Sequence, residues 1–223
     1  MTFGAEGEKP ELDGFIFDMD GTLLHTLPDL TVVINKALEL EGFPTHSQEQ
    51  VLTYVGNGAL ALARLAVPAA ATEQQVQHVY ANFKDQYQKI GINLTREFEG
   101  MTETLKQLKA AGKKLGIMSN KFDAGVRDVE ARFFPGLFDA SHGEGPSIPR
   151  KPEPDGLLLC AKEMGLDPAR CAYFGDSASD LQAAHNAGML AVGCTWGYQL
   201  LETLKGGKPD VLINAPVELL QFI

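Results

Sequence analysis

Short runs of consecutive apolar residues recur along the chain, each ended by polar or charged positions: GFIFD at 14–18, KLGIMSN at 114–120, RCAYFGD at 170–176, MLAVGC at 189–194 and DVLIN at 210–214. Unbroken apolar stretches of this length, rather than strict alternation, mark strands covered on both faces, as in parallel sheets. Segments with helical spacing run between them. TETLKQLKAAG carries Leu105 and Leu108 and meets Gly112 as a stop, while EPDGLLLCAKEMG ends at Gly165 and SDLQAAHNAG at Gly188. Strands alternating with helices predict an α/β fold, a doubly wound and mostly parallel sheet.

One region breaks the alternation. From about residue 25 to residue 99, PDLTVVINKALELEG, GALALARLA and TEQQVQHVYANFKDQYQKIG follow one another as helices with no convincing strand, and the alanine-rich patch around Pro68 reads as a helix–helix connection. A helical block between the first and second strands predicts an inserted small cap domain, residues 25–97, in a core made of residues 1–24 and 98–223. Two crossings near its ends would let the cap hinge over the sheet end and exclude water.

Composition then narrows the function. With 223 residues, 44% of them hydrophobic, the chain can bury a sizeable core. A net charge of -10 leaves no sequence-wide basic field for nucleic acid or an anionic membrane, so an anionic substrate needs local cations or a metal. ALALARLAVPAAA, the most apolar stretch outside the strands, is interrupted by Arg64 and Pro68 and is too short to span a bilayer. The polar opening MTFGAEGEKPELD lacks the pattern of a signal peptide and reads as a short, partly mobile tail. Cys160, Cys171 and Cys194 have no paired spacing and read as buried free thiols. The expectation is a soluble cytoplasmic protein, monomer or homodimer, with neither nucleic acid nor a membrane as partner.

In an open parallel sheet ligands bind beyond the carboxyl ends of the strands. Those positions hold Asp18, Asp20, Gly21 and Thr22 after the first run, Ser119, Asn120 and Lys121 after the second, and Asp176, Ser177 and Asp180 after the third; Lys151 lies between in PRKPEPD. Gathered carboxylates repel unless a hard cation neutralises them, so the acidic set implies Mg²⁺ and an oxyanion. Asp18 can attack phosphorus as a nucleophile, and Asp20 can serve as general acid and then base. Gly21 permits a tight turn with N–H groups toward phosphoryl oxygens, and Ser119 and Lys151 can neutralise the remaining charge. Taken singly, Asp-x-Asp-Gly is often an Asx turn and GDSASD a helix N-cap. Their order and their placement at strand ends favour chemistry.

Other residues take quieter readings. Gly56 and Gly58 fit a helix–helix turn capped by Asn57 as well as a substrate-facing loop, Lys121 fits a solvated first turn, and Trp196 and Tyr198 fit packing at the sheet end. His46, His78, His142 and His185 have no ligand-like spacing, and His25 stands in a connection.

DMDGTL at 18–23, IMSN at 117–120, RKP at 150–152 and GDSASD at 175–180 resemble the four ordered motifs of the haloacid dehalogenase superfamily, over essentially the whole chain. The resemblance implies that superfamily's Rossmann-like core with a helical cap, Asp18 as nucleophile, Asp20 as acid/base, and Ser119 and Lys151 as phosphoryl binders. It further implies Mg²⁺ on Asp18, the Asp20 carbonyl and Asp176, with Asp180 behind them or acting through water. Gly21, Thr22, Asn120 and Lys121 are the expected substrate contacts. YVGNGA at 54–59, SNK at 119–121 and WGY at 196–198 resemble the phosphoglycolate phosphatases, which usually continue from the first motif with an acidic residue and Ser or Thr where this chain has His25 and Thr26. The loop GEGPSIPRK, with its two prolines, also departs from them.

The leading expectation is thus a Mg²⁺-dependent phosphatase acting on a small phosphorylated metabolite, phosphoglycolate first; its rivals are a phosphatase for a nucleoside monophosphate, pyrophosphate or sugar phosphate, and a sugar phosphomutase. Such mutases usually carry Glu where Gly175 stands. A dehalogenase needs neither metal nor a second aspartate. A phosphoacceptor signalling domain or a silent interaction protein would belong to a different class altogether.

Overall fold

The computed structural model describes residues 11–223; residues 1–10 of the opening segment, read above as a tail, lie outside the described residues. Along the chain run β1 (Gly14–Phe17), β2 (Leu24–His25), α1 (Leu27–Leu40), α2 (Gln48–Leu52), α3 (Gly58–Ala66) and α4 (Glu73–Ile90). Then come β3 (Arg96–Glu97), α5 (Met101–Ala110), β4 (Lys114–Phe122), α6 (Asp123–Phe133), β5 (Ala140–Glu144) and α7 (Asp155–Met164). The chain ends with β6 (Cys171–Gly175), α8 (Ala178–Asn186), β7 (Leu190–Cys194), α9 (Leu201–Gly206) and β8 (Val211–Ile213), followed by a 3₁₀ segment at Pro216–Phe222. Two compact units result, one made of residues up to Leu24 with Glu97–Ile223, the other of His25–Arg96.

Among the described residues the first unit holds a six-stranded sheet in the order β5-β4-β1-β6-β7-β8, with every pairing parallel. This is the doubly wound α/β fold. The chain steps outward from β1 through β4 to β5, then crosses back to β6 on the other side of β1, which makes the carboxyl ends of β1, β4 and β6 the switch point where such sheets bind ligands. Register carries the site with it: Phe17 stands level with Ile117 and Phe174, so Asp18 leaves the sheet between the ends of β4 and β6.

The apolar runs form strands because both faces are covered; all four residues of β1 and all five of β6 are buried. Phe174 stacks on Phe15 at 5.5 Å and on Phe17 at 4.9 Å, centring the core directly beneath the site. The helix stops fall where glycine permits a left-handed backbone, with Gly165 at φ 71° and Gly188 at φ 70°. Cys160, Cys171 and Cys194 are free and buried. Burial pushes the Cys160 thiol up to about 12 and the Cys171 thiol to about 11, which leaves both unreactive at neutral pH.

Two sequence expectations need correction here. The sheet has a strand that no apolar run announced: β5 reads ASHGE, an edge strand pairing only with β4 and burying only Ala140 and Gly143. With a single neighbouring strand and three of its five residues half-exposed, its residues need not be apolar. The helical block also contains α2, begun by the Ser47 capping box with Gln50, and its margins carry the two-residue strands β2 and β3, which pair with each other.

The second unit is built around α1 and α4, with α3 against α4. Thr72 starts α4 with a capping box to Gln75, and Val76, Val79, Phe83 and Tyr87 form its buried stripe. Asn57 sits at the N-terminus of α3, but its side chain makes no capping bond, contrary to the expected cap. Asp29, 3% exposed, takes the N–H groups of Asn93, Leu94 and Thr95 and the Thr95 hydroxyl, fastening the start of α1 to the segment before β3.

Candidate active site

Asp18 is the first residue past β1, and its N–H donates to Phe174 O at 2.9 Å. The chain then turns sharply: Thr22, Leu23 and Leu24 all donate N–H groups to Met19 O, and Gly21, at φ 93°, donates to Leu24 O. Glycine is required at this point. Its backbone is left-handed, and a Cβ there would lie 2.4 Å from Asp176 Oδ2. The Gly21 and Thr22 N–H groups are therefore spent inside the turn rather than turned toward a ligand. Thr22 is wholly buried, and its hydroxyl donates to Asp176 Oδ1 at 2.9 Å, so its side chain is turned to a carboxylate.

From β4 come three consecutive buried polar residues. The Ser119 hydroxyl accepts the Lys121 N–H at 3.3 Å, and Asn120 Oδ1 accepts the Lys151 N–H at 2.9 Å, linking the second and third motifs. Lys121 is not solvated: its side chain is 3% exposed, and Nζ lies 3.3 and 3.4 Å from the two oxygens of Asp20.

Lys151 is the hub. Its Nζ stands 2.8 Å from Asp18 Oδ1 and 2.7 Å from Asp180 Oδ1, and it donates to Tyr173 Oη at 3.0 Å; the Tyr173 hydroxyl in turn donates to Met118 O at 2.6 Å. The contact with Asp18 is a buried ion pair whose angles lie outside the hydrogen-bonding range, and Asp18 Oδ1 has no other donor among the described residues. Burial alone would pull the Lys151 ammonium below its ordinary range. The Asp18 and Asp180 carboxylates outweigh burial and hold it well above, so it stays charged.

Asp180 belongs to the first turn of α8 and closes a capping box with Ser177, whose N–H and hydroxyl both reach Asp180 Oδ2, at 2.9 and 2.6 Å. GDSASD is thus a helix cap and part of the site at once. Gly175 makes this possible, since a Cβ there would lie 2.3 Å from Asp180 Cβ.

Asp18, Asp176 and Asp180 each bring an oxygen within 4.8 Å of the others, all buried. Against these three carboxylates stands one ammonium, Lys151, so with all three ionised the cluster carries two negative charges in excess where water cannot screen them. Burial, reinforced by neighbouring carboxylates, raises the Asp176 carboxyl to about 8 and, despite the pull of Lys151, the Asp18 carboxyl to about 6. An all-oxygen set with a double charge deficit and a buried, undonated Asp18 oxygen suits a hard divalent cation. Asp18 and Asp176 fit as ligands better than Asp180, each of whose oxygens already takes two donors, Lys151 and Tyr173 on Oδ1 and the N–H and hydroxyl of Ser177 on Oδ2, against one on each oxygen of Asp176.

Sequence reasoning missed the part played by Tyr173 and by the loop after β7. A tyrosine inside an otherwise apolar buried strand needs a partner for its hydroxyl, and that was the available signal. The WGY motif at 196–198 marks the loop, but its contact with Asp176 is made by the Tyr198 N–H, at 2.6 Å, a backbone group that side-chain identity does not announce. His25 is half-buried, and burial holds its imidazole below the usual range.

Residues 12–188 match the family model of haloacid dehalogenase-like hydrolases. The chain belongs to that family. Among similar proteins, the phosphoglycolate phosphatase of Haemophilus influenzae is 35% identical over 216 residues, covering 93% of this chain and 96% of its own length. The phosphoglycolate phosphatase of Escherichia coli K12 is 32% identical, covering 94% of this chain and 92% of its own. The crystal structure of a predicted phosphoglycolate phosphatase from Haemophilus somnus superposes with a TM-score of 0.87 at 34% identity, covering 95% of this chain and 97% of that one. This haloacid dehalogenase-like hydrolase is a phosphatase, a phosphoric monoester hydrolase. No helix among its described residues is long and apolar enough to cross a membrane.

Proposed function

We propose that this phosphatase hydrolyses phosphoglycolate, or a similarly small phosphate monoester, with Mg²⁺ and through an aspartyl-phosphate on Asp18. The observation that carries this reading is the buried meeting of Asp18, Asp176 and Asp180 around the Lys151 ammonium at the end of β1. The named activity of relatives at 32–35% identity supports the choice of phosphoglycolate.

In this reading Asp18 attacks phosphorus, and the bond from phosphorus to the leaving oxygen breaks as its own forms. Asp20 gives a proton to that oxygen and later takes one from the water that hydrolyses the acyl phosphate. Lys121, beside both Asp20 oxygens, holds that carboxyl in one orientation. Lys151 offsets charge on the nucleophile and on the transferring group. Ser119 supplies a hydroxyl to the same group. Mg²⁺, when held by Asp18, Asp176 and the Asp20 carbonyl, supplies charge neutralisation for the nucleophile and the phosphoryl oxygens. Asp180 keeps Lys151 in place from behind, and the helical unit His25–Arg96 is the family's cap.

Transfer of the group back to a sugar, the mutase alternative, is disfavoured at Gly175, where any side chain would strike Asp180. Initial rates against phosphoglycolate, nucleoside monophosphates, sugar phosphates and pyrophosphate test the substrate, with phosphoglycolate expected to give the highest kcat/KM. Asp18→Asn should lower kcat by about ten-thousand-fold or more. Undiminished Mg²⁺-dependent turnover by that variant would overturn the mechanism.

A further inference from the structure

The seat of Asp176 is built by two loops, and one of them does nothing in the reaction just described. Thr22 Oγ1 donates to Asp176 Oδ1 at 2.9 Å, and the Tyr198 N–H donates to Oδ2 at 2.6 Å. Two glycines press on the same side chain from those loops: a Cβ at position 21 would stand 2.4 Å from Asp176 Oδ2, and one at position 197 would stand 2.1 Å from Asp176 Cβ. The loop after β7 is tied to the loop after β1 by the Trp196 indole, whose N–H donates to the Thr22 carbonyl at 3.0 Å. Its far end is tied to α8, where Gln199 Oε1 accepts the Ala178 N–H at 3.0 Å. The half-buried Trp196 ring also meets Phe98 edge-on at 6.3 Å.

We propose that residues 196–199 and Thr22 form a clamp that presents Asp176 to the divalent cation, with Trp196 as the positioning residue that holds the clamp shut. The inference rests on the reading that a divalent cation binds at this cluster. Each carboxylate oxygen accepts more than one bond, so a single donor on each fixes the plane of the group and still leaves lone pairs for an ion. Outer partners of this kind raise metal affinity by orienting the ligand before the ion arrives. The Tyr198 N–H can do so only while its loop keeps its place. The loop is short, contains Gly197, and is held across to the Asp18 side by the Trp196 side-chain bond. Trp196 thus couples the strand that carries the nucleophile to the strand that carries Asp176, although it touches neither carboxylate.

The test is a titration of metal-free protein with MgCl₂, following the melting temperature and, separately, the midpoint of activation for p-nitrophenyl phosphate hydrolysis. Trp196→Phe keeps a ring against Phe98 and removes only the N–H; Thr22→Val keeps shape and removes the hydroxyl. Both should shift the Mg²⁺ midpoint upward by about tenfold or more. They should also shrink the Mg²⁺-induced rise in melting temperature at fixed subsaturating Mg²⁺. A packing role alone would lower the melting temperature equally with and without Mg²⁺, and unchanged midpoints in both variants would overturn the clamp. A shift in T22V with none in W196F would overturn the assignment of Trp196. If W196F does not accumulate folded, T22V decides the clamp. Absence of any Mg²⁺-induced rise in the unsubstituted protein would instead sink the metal reading beneath it, which distinguishes the two failures.

Discussion

Asp29 in the helical unit and Asp176 in the core are both 3% exposed, yet they sit in opposite electrostatic circumstances. Around Asp29 three backbone N–H groups and a hydroxyl converge from residues 93–95, so the carboxylate is satisfied by dipoles alone and needs no counter-charge. Around Asp176 there are one hydroxyl and one N–H, with two further buried carboxylates close by and a single ammonium among the three. The first arrangement is finished without a ligand and fastens a loop. The second has a charge deficit that only a cation or a proton can remove, and such an unfinished site is where binding energy for a ligand is stored.

Substitutions can break that contrast from either side. Asp29→Ala, which removes the acceptor of the Asn93 and Leu94 N–H groups and of the buried Thr95 N–H and hydroxyl, should destabilise the chain by about 2–3 kcal/mol in denaturant melts. It should leave the Mg²⁺-induced stabilisation intact; a variant as stable as the parent would show the clasp to be idle.

The crowded site predicts a pH response of the opposite sign from ordinary acid denaturation. Asp18 and Asp176 have carboxyls raised from 3.8 to about 6 and about 8, so in metal-free protein their stabilising contribution is full below the unfolded value and is lost as pH rises through the folded ones. The metal-free melting temperature should therefore fall by several degrees between about pH 5 and pH 8. Mg²⁺ should restore most of it at the upper end. A metal-free curve that rises steadily to pH 8 would contradict the reading of the cluster.

Tyr173→Phe gives the smallest effect. It removes one acceptor from Lys151 and the donor to Met118 O, and should cost about 1–2 kcal/mol in stability. A modest loss of kcat with KM little changed would place Tyr173 behind Lys151 rather than in contact with substrate. An isosteric variant with unaltered kcat would limit it to packing.

The core strands were legible because burial on both faces leaves a continuous apolar signal, as in GFIF and CAYFG, and because glycine stops and the Ser177 cap punctuate the helices between them. β5 was illegible for the complementary reason, since an edge strand may be as polar as ASHGE when its backbone bonds to a single neighbour. The same limit applied to individual contacts. Nothing in the order of residues told that Thr22 would face Asp176 across 154 positions, or that Lys121 would be buried against Asp20.

By itself the sequence determined which chemistry was present: two aspartates after one strand, Ser119 after the next, Lys151 in a proline-flanked loop and Asp176 with Asp180 after a third, in an order that marks the family. Those identities follow from local rules, strand periodicity and cap chemistry, which act over a few residues. Only the tertiary structure decided how the charges are apportioned. It made Lys151 the shared partner of Asp18 and Asp180, Lys121 the partner of Asp20, and Thr22 with the 196–198 loop the seat of Asp176. Pairings of that kind depend on angstrom-scale distances between segments 22 to 154 residues apart, and on burial that removes water as a competing partner, neither of which is written in any short stretch of the chain.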